Sequence, residues 1–164
     1  IRPTATVKIG PILKRVTETL SVQAKERDME IILDVSPDLP PITGEPDELT
    51  QVFQNLVANA VSYGTMKTPI RILTSIHRRA LNEGDAGVSI AVLNRGEGIA
   101  PGDLERLTER FYRADKSRSR SMGGTGLGLA IVKHIVARHR GQLEIKSTPN
   151  EETSFTVHLP CAES

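Results

Sequence analysis

Apolar residues recur along this chain with two periods, and each change of period marks a predicted element. From residue 11 to about residue 28, and again from about residue 46, apolar side chains return at nearly every fourth position, which predicts two amphipathic helices. A third segment of this kind covers residues 130–140. It is predicted to end at Gly141, after the basic residues Arg138, His139 and Arg140.

Shorter segments in which apolar and polar residues alternate predict strands. These lie at residues 29–35, 70–76, 88–93, 143–146 and 154–159, and a predicted turn at residues 149–152 joins the last two. Helices and strands are therefore mixed along the chain. We expect an α+β fold, a two-layer α/β sandwich in which helices cover one face of a mixed, mostly antiparallel sheet.

Composition narrows the class of protein. A length of 164 residues suits one domain with its own core, which is aliphatic because the chain has three Phe, two Tyr and no Trp. The net charge of +1 argues against a nucleic-acid partner. Cys161 is the single cysteine, so we expect no internal disulfide and a reducing compartment. Neither a signal peptide nor an apolar run of membrane-spanning length is predicted.

A glycine-rich stretch, SMGGTGLGL at residues 121–129, leads directly into the third predicted helix. Glycines allow the backbone to approach a ligand closely, and the free N–H groups of a first helical turn favour an anion such as phosphate. The segment before it is strongly basic. Its cations, against only Glu109 and Asp115, are Arg106, Arg110, Arg113, Lys116, Arg118 and Arg120.

Two common phosphate-binding loops do not fit this stretch. A Walker-type loop ends in Gly-Lys-Ser/Thr, whereas Leu129 and Ala130 follow Gly128 here. A dinucleotide-binding loop needs a further glycine where Leu129 stands, and a buried strand before it. Taken alone, the stretch is also consistent with a plain helix start with flexible glycines.

The second predicted helix has an unusual polar face. Leu49, Phe53, Leu56 and Ala60 share one face, and the other carries Glu48, Gln51, Asn55, Asn59 and Ser62. For Glu48, Gln51 and Ser62 a solvated surface is a sufficient explanation. Asn55 and Asn59 are less ordinary, because asparagine is a mediocre helix residue. Its amide oxygen suits a hard cation such as Mg²⁺ that already carries phosphates.

Four motifs, in order, resemble those of sensor histidine kinases. NLVANAVSY at 55–63 resembles the N box, NRGEGI at 94–99 the first glycine box, RFYR at 110–113 the F box, and GGTGLGL at 123–129 the second glycine box. The resemblance covers essentially the whole chain, and four ordered motifs are far more specific than one glycine loop. The run at residues 106–120 is most similar to kinases of the phosphate-regulon sensor type.

This resemblance implies a Bergerat ATP-binding fold over residues 1–164, with ATP and Mg²⁺ as cofactors. It implies that Asn59 holds Mg²⁺, that Asn55 and Arg113 act at the phosphates, that Tyr63 lies against adenine and that Asn94 meets the adenine amino group. The other implied nucleotide contacts are Gly96, Gly98, Ile99, Phe111, Gly124, Thr125, Gly126, Leu127, Gly128 and Leu129.

The resemblance also implies partners. Kinases of this family transfer phosphate to a histidine on a separate dimerisation domain, and an acidic residue usually follows that histidine. None of the four histidines here precedes an acidic residue. We therefore expect a catalytic module that lacks its sensor region and its dimerisation domain. His134 is predicted to pack beside Ile131 and Ile135.

The implied parent protein is a bacterial sensor kinase anchored in the inner membrane, with this domain in the cytoplasm. It would form a homodimer through the missing dimerisation domain and act on a cognate response regulator. We expect the isolated domain to be a monomer.

The chain departs from the family pattern at three places. Asn94 replaces the usual Asp, Ser62 replaces a usual Lys or Arg, and residues 150–152 replace glycines and are expected to affect only a turn. Asn94 can accept from the adenine amino group, or with its amide flipped it can tolerate guanine.

Two other functions stay open beside the kinase. The changes at Asn94 and Ser62 favour a nucleotide-binding module that has lost catalysis. An ATP hydrolase of the same superfamily is disfavoured, because Asn55 stands where those enzymes have the glutamate that activates water.

Overall fold

The computed structural model of this protein describes residues 3–77, 86–104, 106–107, 109 and 128–162. The elements run in the order β1 (Thr6–Val7), α1 (Ile9–Glu26), β2 (Ile31–Asp34), β3 (Ile42–Thr43), α2 (Pro46–Tyr63), β4 (Ile70–His77), β5 (Gly87–Arg95), α3 (Pro101–Leu104), α4 (Gly128–Arg138), β6 (Gln142–Thr148) and β7 (Glu152–Pro160). Every helix and strand that we predicted from periodicity is present. No helix in these ranges is long and apolar enough to cross a bilayer.

Five strands form one sheet, in the order β2-β4-β5-β7-β6. Only β2 and β4 are parallel, and the other neighbours are antiparallel. The prediction of a mixed, mostly antiparallel sheet is confirmed. A separate antiparallel pair, β1 with β3, was not predicted, because each strand has only two residues and two residues show no period.

The core lies between the sheet and one layer of helices, as predicted. Every second residue of β7 is buried, and β5 buries Val88, Ile90 and Val92 together with Ser89. Helix α2 contacts α1, α4 and strands β4 and β5. Because α2 has four neighbours, its buried stripe is wider than that of a surface helix. It comprises Leu49, Val52, Phe53, Leu56, Val57, Ala60 and Val61.

Two boundaries differ from the predictions for a physical reason. Helix α1 begins at Ile9 rather than Pro11, because Ile9 is buried against the core and Pro11 fits in a first helical turn. Strand β5 extends two residues beyond Leu93, because Asn94 and Arg95 pair with β7. This extension places Asn94 inside the sheet.

One prediction about a side chain was wrong. His134 is exposed rather than packed, because the buried side of α4 is formed by Val132, Ile135 and Val136 and His134 points away from it. The buried histidine of this region is His139, just after the helix.

Candidate functional site

Helix α2 begins with a well-formed cap. The Glu45 carboxylate accepts the backbone N–H of Glu48 at 2.7 Å, and Pro46 occupies the first helical position, where no N–H is needed. Further along the helix, Asn55 and Asn59 are half-buried and lie outside its buried apolar stripe, as the periodicity predicted.

Asn55 lies against the start of α4. Its Nδ2 atom donates to the carbonyl oxygen of Gly128 at 3.5 Å, and a Cβ added to Gly128 would lie 3.8 Å from the Asn55 side-chain carbon. Residue 128 is the last glycine of the second glycine motif. The structure thus brings that motif and the asparagine pair together, although 73 residues separate them in the chain.

Asn59 lies one turn further along α2 and has no hydrogen-bond partner among the residues that the structure describes. The same residues contain no cluster of His, Cys, Asp or Glu that could hold a metal ion. A single neutral amide oxygen does not make a metal site by itself. It fits a Mg²⁺ ion that is held mainly by the phosphates of a nucleotide.

The C-terminal end of α2 meets the first glycine motif. A Cβ added to Gly96 would lie 2.8 Å from the carbonyl oxygen of Tyr63, so only glycine allows this approach of the two backbones. Asn94 is the eighth residue of β5, pairs with Ile70 and Thr153, and is 4% exposed. Tyr63, Asn94 and Gly96 therefore form one end of the site, and Asn55 with Gly128 forms the other.

The loop after β5 is held by the turn between β6 and β7. The Ile99 N–H donates to Ser147 Oγ at 2.9 Å, and the Asn150 N–H donates to the Glu97 carbonyl at 2.9 Å. Gly98 has φ +88°, and a Cβ there would lie 2.9 Å from Pro149 Cα. This turn thus supports the glycine loop through backbone groups. That the side chains at residues 150–152 affect only the turn stays a prediction.

Several predicted site residues lie outside the described residues. These are Phe111, Arg113, Gly124, Thr125, Gly126 and Leu127, together with most of the basic segment before them. Leu129 is described and is half-buried in the first turn of α4.

Sequence reasoning missed a connection between α2 and α4. The Arg138 guanidinium pairs with the Glu48 carboxylate at 3.2 Å. His139 is 3% exposed; its Nε2 accepts the Glu45 N–H at 3.0 Å, and its Nδ1 lies 2.8 Å from the Ile135 carbonyl. Nε2 faces a donor and Nδ1 faces an acceptor, and these contacts fit the tautomer that carries its proton on Nδ1. We call Glu45, Glu48, Arg138 and His139 the clasp.

The only signal for the clasp in the sequence was the position of His139 four residues after Ile135, on the apolar side of α4. That spacing suggests burial but names no partner. Glu45 lies 94 residues away.

Comparison with known proteins agrees with this geometry. The model of the family "Histidine kinase-, DNA gyrase B-, and HSP90-like ATPase" matches residues 44–163. The sensor-like histidine kinase SenX3 of Mycobacterium tuberculosis is 42% identical over 154 residues, covering 94% of this chain and 36% of SenX3. The phosphate regulon sensor protein PhoR of Pseudomonas aeruginosa is 40% identical over 157 residues, covering 96% of this chain and 34% of PhoR. The chain thus spans about a third of the length of these relatives.

Solved structures show the same fold. The structure of full-length ShkA in complex with AMPPNP has a TM-score of 0.80 and 30% identity, and the match covers 98% of this chain and 31% of ShkA. The mycobacterial sensor histidine kinase MprB has a TM-score of 0.77 and 24% identity, and the match covers 98% of this chain and 99% of the MprB chain. At this identity, the likeness supports the fold alone. The chain belongs to the histidine kinase-, DNA gyrase B- and HSP90-like ATPase family, as a catalytic domain of the sensor histidine kinase kind that is similar to the phosphate-regulon type.

Proposed function

We propose that this domain binds ATP with Mg²⁺ and transfers the γ-phosphate to a histidine on a separate dimerisation domain. The observation that carries the proposal is that one helix, α2, supports both ends of the site. Asn55 meets Gly128 at one point, and Tyr63 meets Gly96 eight residues later. Eight helical residues span about 12 Å, which suits a nucleotide with its phosphates at Asn55 and its base at Tyr63.

Each end of the site has its own task in this proposal. At the base end, Tyr63 lies against adenine, Asn94 contacts its amino group, and Gly96, Gly98 and Ile99 pass close to the ring. At the phosphate end, Asn59 holds Mg²⁺, and Asn55, Phe111, Arg113 and residues 124–129 surround the phosphates. A bound Mg²⁺ ion would supply positive charge that offsets the negative charge of the phosphates.

Phosphoryl transfer depends mainly on positioning and on neutralising charge, so this chain needs no nucleophile of its own. The attacking atom is a nitrogen of the acceptor histidine. The role of Asn55 is then to orient a phosphate oxygen by donating from its amide. A neutral amide cannot take a proton from water, which disfavours ATP hydrolysis as the main reaction.

The remaining proposals concern the parent protein. Residues 1–164 form one catalytic and ATP-binding domain, and the isolated domain is a monomer. In the full-length kinase it works beside the dimerisation domain of a homodimer, passes phosphate to a response regulator, and lies on the cytoplasmic side of a membrane-anchored sensor. The similarity to SenX3 and PhoR supports these proposals.

A phosphotransfer assay tests the proposed function. The chain is incubated with ATP labelled at the γ-phosphate and with the separately produced dimerisation domain of a relative such as PhoR. We expect label on that domain that is lost in acid and stable in base. An acceptor domain with its histidine changed to glutamine is the control.

Two results would contradict the kinase proposal. Release of inorganic phosphate without labelled acceptor would favour a hydrolase. Tight ATP binding with neither product would favour a nucleotide-binding module without catalysis, which the changes at Asn94 and Ser62 also allow.

A further inference from the structure

The side-chain amide of Asn94 has one orientation in this structure. Its Nδ2 atom donates to the carbonyl oxygen of the next residue, Arg95, at 3.3 Å. The two ends of an asparagine amide have nearly the same shape, so hydrogen-bond partners decide which end points where. A carbonyl oxygen accepts and never donates. The flipped amide would place the Asn94 Oδ1 against it, with two acceptors facing each other.

The Arg95 carbonyl is itself held in place. The backbone N–H of Thr65, just after α2, donates to it at 2.8 Å. The same loop is tied to the end of α1, because the Arg27 guanidinium donates to the Gly64 carbonyl at 2.7 Å. The Lys67 N–H donates in turn to the Arg27 carbonyl at 3.2 Å. A continuous series of hydrogen bonds therefore runs from Arg27 to the Asn94 amide.

We propose that Asn94 is held as a hydrogen-bond acceptor toward the base, and that Arg27 is the positioning residue that keeps it so. This proposal rests on the proposed function, in which Asn94 faces the base. An acceptor held in this orientation accepts a hydrogen bond from the exocyclic amino group of adenine. It repels the carbonyl oxygen that hypoxanthine and guanine carry at the same ring position. The domain therefore prefers ATP although it lacks the aspartate usual in its family.

Binding of three nucleotides tests the orientation of the amide. Calorimetry compares the affinities of non-hydrolysable analogues of ATP, ITP and GTP. ITP is the key comparison, because hypoxanthine carries a carbonyl where adenine carries its amino group and lacks the additional amino group of guanine. We expect ATP to bind about tenfold more tightly than ITP or better, because a site built around one hydrogen-bond partner rejects an analogue that lacks it. The Asn94→Asp variant, with acceptors only, should keep this preference.

The outcomes distinguish a failure of this proposal from a failure of the proposed ATP-binding function. Equal affinity for ATP and ITP would mean that the amide turns freely, which overturns the proposal and leaves ATP binding intact. Absence of binding for every nucleotide would overturn both. A preference for ATP that appears only in Asn94→Asp would also overturn the fixed orientation.

Variants of Arg27 test the positioning role. Arg27→Met keeps an apolar stem but removes the donor to Gly64, and Arg27→Lys keeps a donor. We expect the ratio of ITP to ATP dissociation constants to fall severalfold in Arg27→Met and to recover at least partly in Arg27→Lys. Arg15→Met, an exposed change on the same helix, is the matched control and should leave the ratio unchanged. The ratio is insensitive to the folded fraction of a preparation.

An unchanged ratio in Arg27→Met would overturn the role of Arg27, as would an equal loss of affinity for all nucleotides. Should Arg27→Met fail to fold, NMR of the unmodified domain keeps the proposal testable. A held amide predicts slower hydrogen exchange at the Asn94 side-chain NH₂ than at the side-chain amide of an exposed residue such as Gln51. Equally fast exchange at the two amides would contradict it.

Discussion

Asn59 lies on the half-buried side of a helix whose opposite face is entirely buried, so its side chain can change without disturbing the core. We expect Asn59→Ala to fold normally and to lose the Mg²⁺-dependent part of its ATP affinity, because the change removes an oxygen ligand. Titration of the nucleotide with and without Mg²⁺ measures this loss, and far-UV circular dichroism checks the fold. Gln51→Ala, an exposed change on the same helix, is the control. An unchanged affinity in the presence of Mg²⁺ would remove Asn59 from the metal site.

Gly98 is a residue where backbone conformation and space both demand glycine. Its φ is +88°, and a Cβ would lie 2.9 Å from both Pro149 Cα and Ser147 Oγ. We expect Gly98→Ala to lower the free energy of unfolding by about 2–4 kcal/mol, combining the left-handed conformation with overpacking. Urea denaturation measures the effect. ATP affinity should fall as well, since the glycine loop must shift.

Gly102 provides the comparison, because a Cβ there meets no atom of the described residues within 4 Å. Gly102→Ala in helix α3 should be neutral or stabilising by up to about 1 kcal/mol. Equal destabilisation by both substitutions would contradict the steric explanation for Gly98.

At the scale of elements, the clasp sets how α2 and α4 lie along each other. The two helices are antiparallel, so the clasp joins the start of α2 to the end of α4, while Asn55 and Gly128 meet further along. The Glu48–Arg138 pair is about a third exposed and contributes at most about 1 kcal/mol. His139 matters more, because its side chain is buried and its loss leaves the N–H of the half-buried Glu45 without this acceptor.

We expect His139→Ala to lower the free energy of unfolding by about 2–4 kcal/mol, mainly from the lost packing of a buried side chain and in part from the lost acceptor for the Glu45 N–H. His134→Ala is the matched control, because His134 is exposed on the same helix and its loss should change stability by no more than about 0.5 kcal/mol. Chemical denaturation of both variants decides the matter. Similar stabilities for the two variants would mean that the clasp is not structural.

At the scale of the whole molecule, the end of β7 ties the small sheet to the large one. The Cys161 N–H donates to the Ala86 carbonyl at 2.9 Å, and Cys161 forms a bridge with Ile42 of β3. The Ala162 N–H donates to the Pro41 carbonyl at 2.9 Å. The residues just after β7 thus close the fold beside residues 41–42, which lead into α2.

Burial in this region raises the pKa of the Cys161 thiol above its usual value. Less reactive thiolate is therefore present at neutral pH, and we expect iodoacetamide to alkylate Cys161 more slowly than it alkylates glutathione. Because folding favours the neutral thiol, the pKa of Cys161 is higher in the folded protein than in the unfolded chain. The contribution of this thiol to stability is therefore complete below its pKa in the unfolded chain, and it declines as the pH rises through its pKa in the folded protein. Alkylation in urea, at the rate of an ordinary thiol, is the control. Fast alkylation of the folded protein would contradict the burial of this group.

The sequence alone was enough to predict the three long helices, the five strands of the large sheet and the fold class, and its motifs name the residues of the candidate site. Helix α2 was predicted with its two faces, because periodicity records which side chains point to the core and which do not. The motifs around Asn55, Asn94 and Gly128 are short, continuous sequence motifs, so they could be recognised without knowing where they lie in space.

The contacts between these motifs, and the contacts that support them, became visible only in the tertiary structure. Arg27 is 37 residues from Gly64, Ile99 is 48 residues from Ser147, and Glu45 is 94 residues from His139. In all three pairs a side chain bonds to a backbone group. Because nearly every residue carries such groups, the residue types alone do not identify the partner. The orientation of the Asn94 amide depends on a carbonyl positioned by a loop from elsewhere in the chain. Such contacts exist only after the sheet and helices have packed, which is why the sequence could name the residues of the site but not what holds them in place.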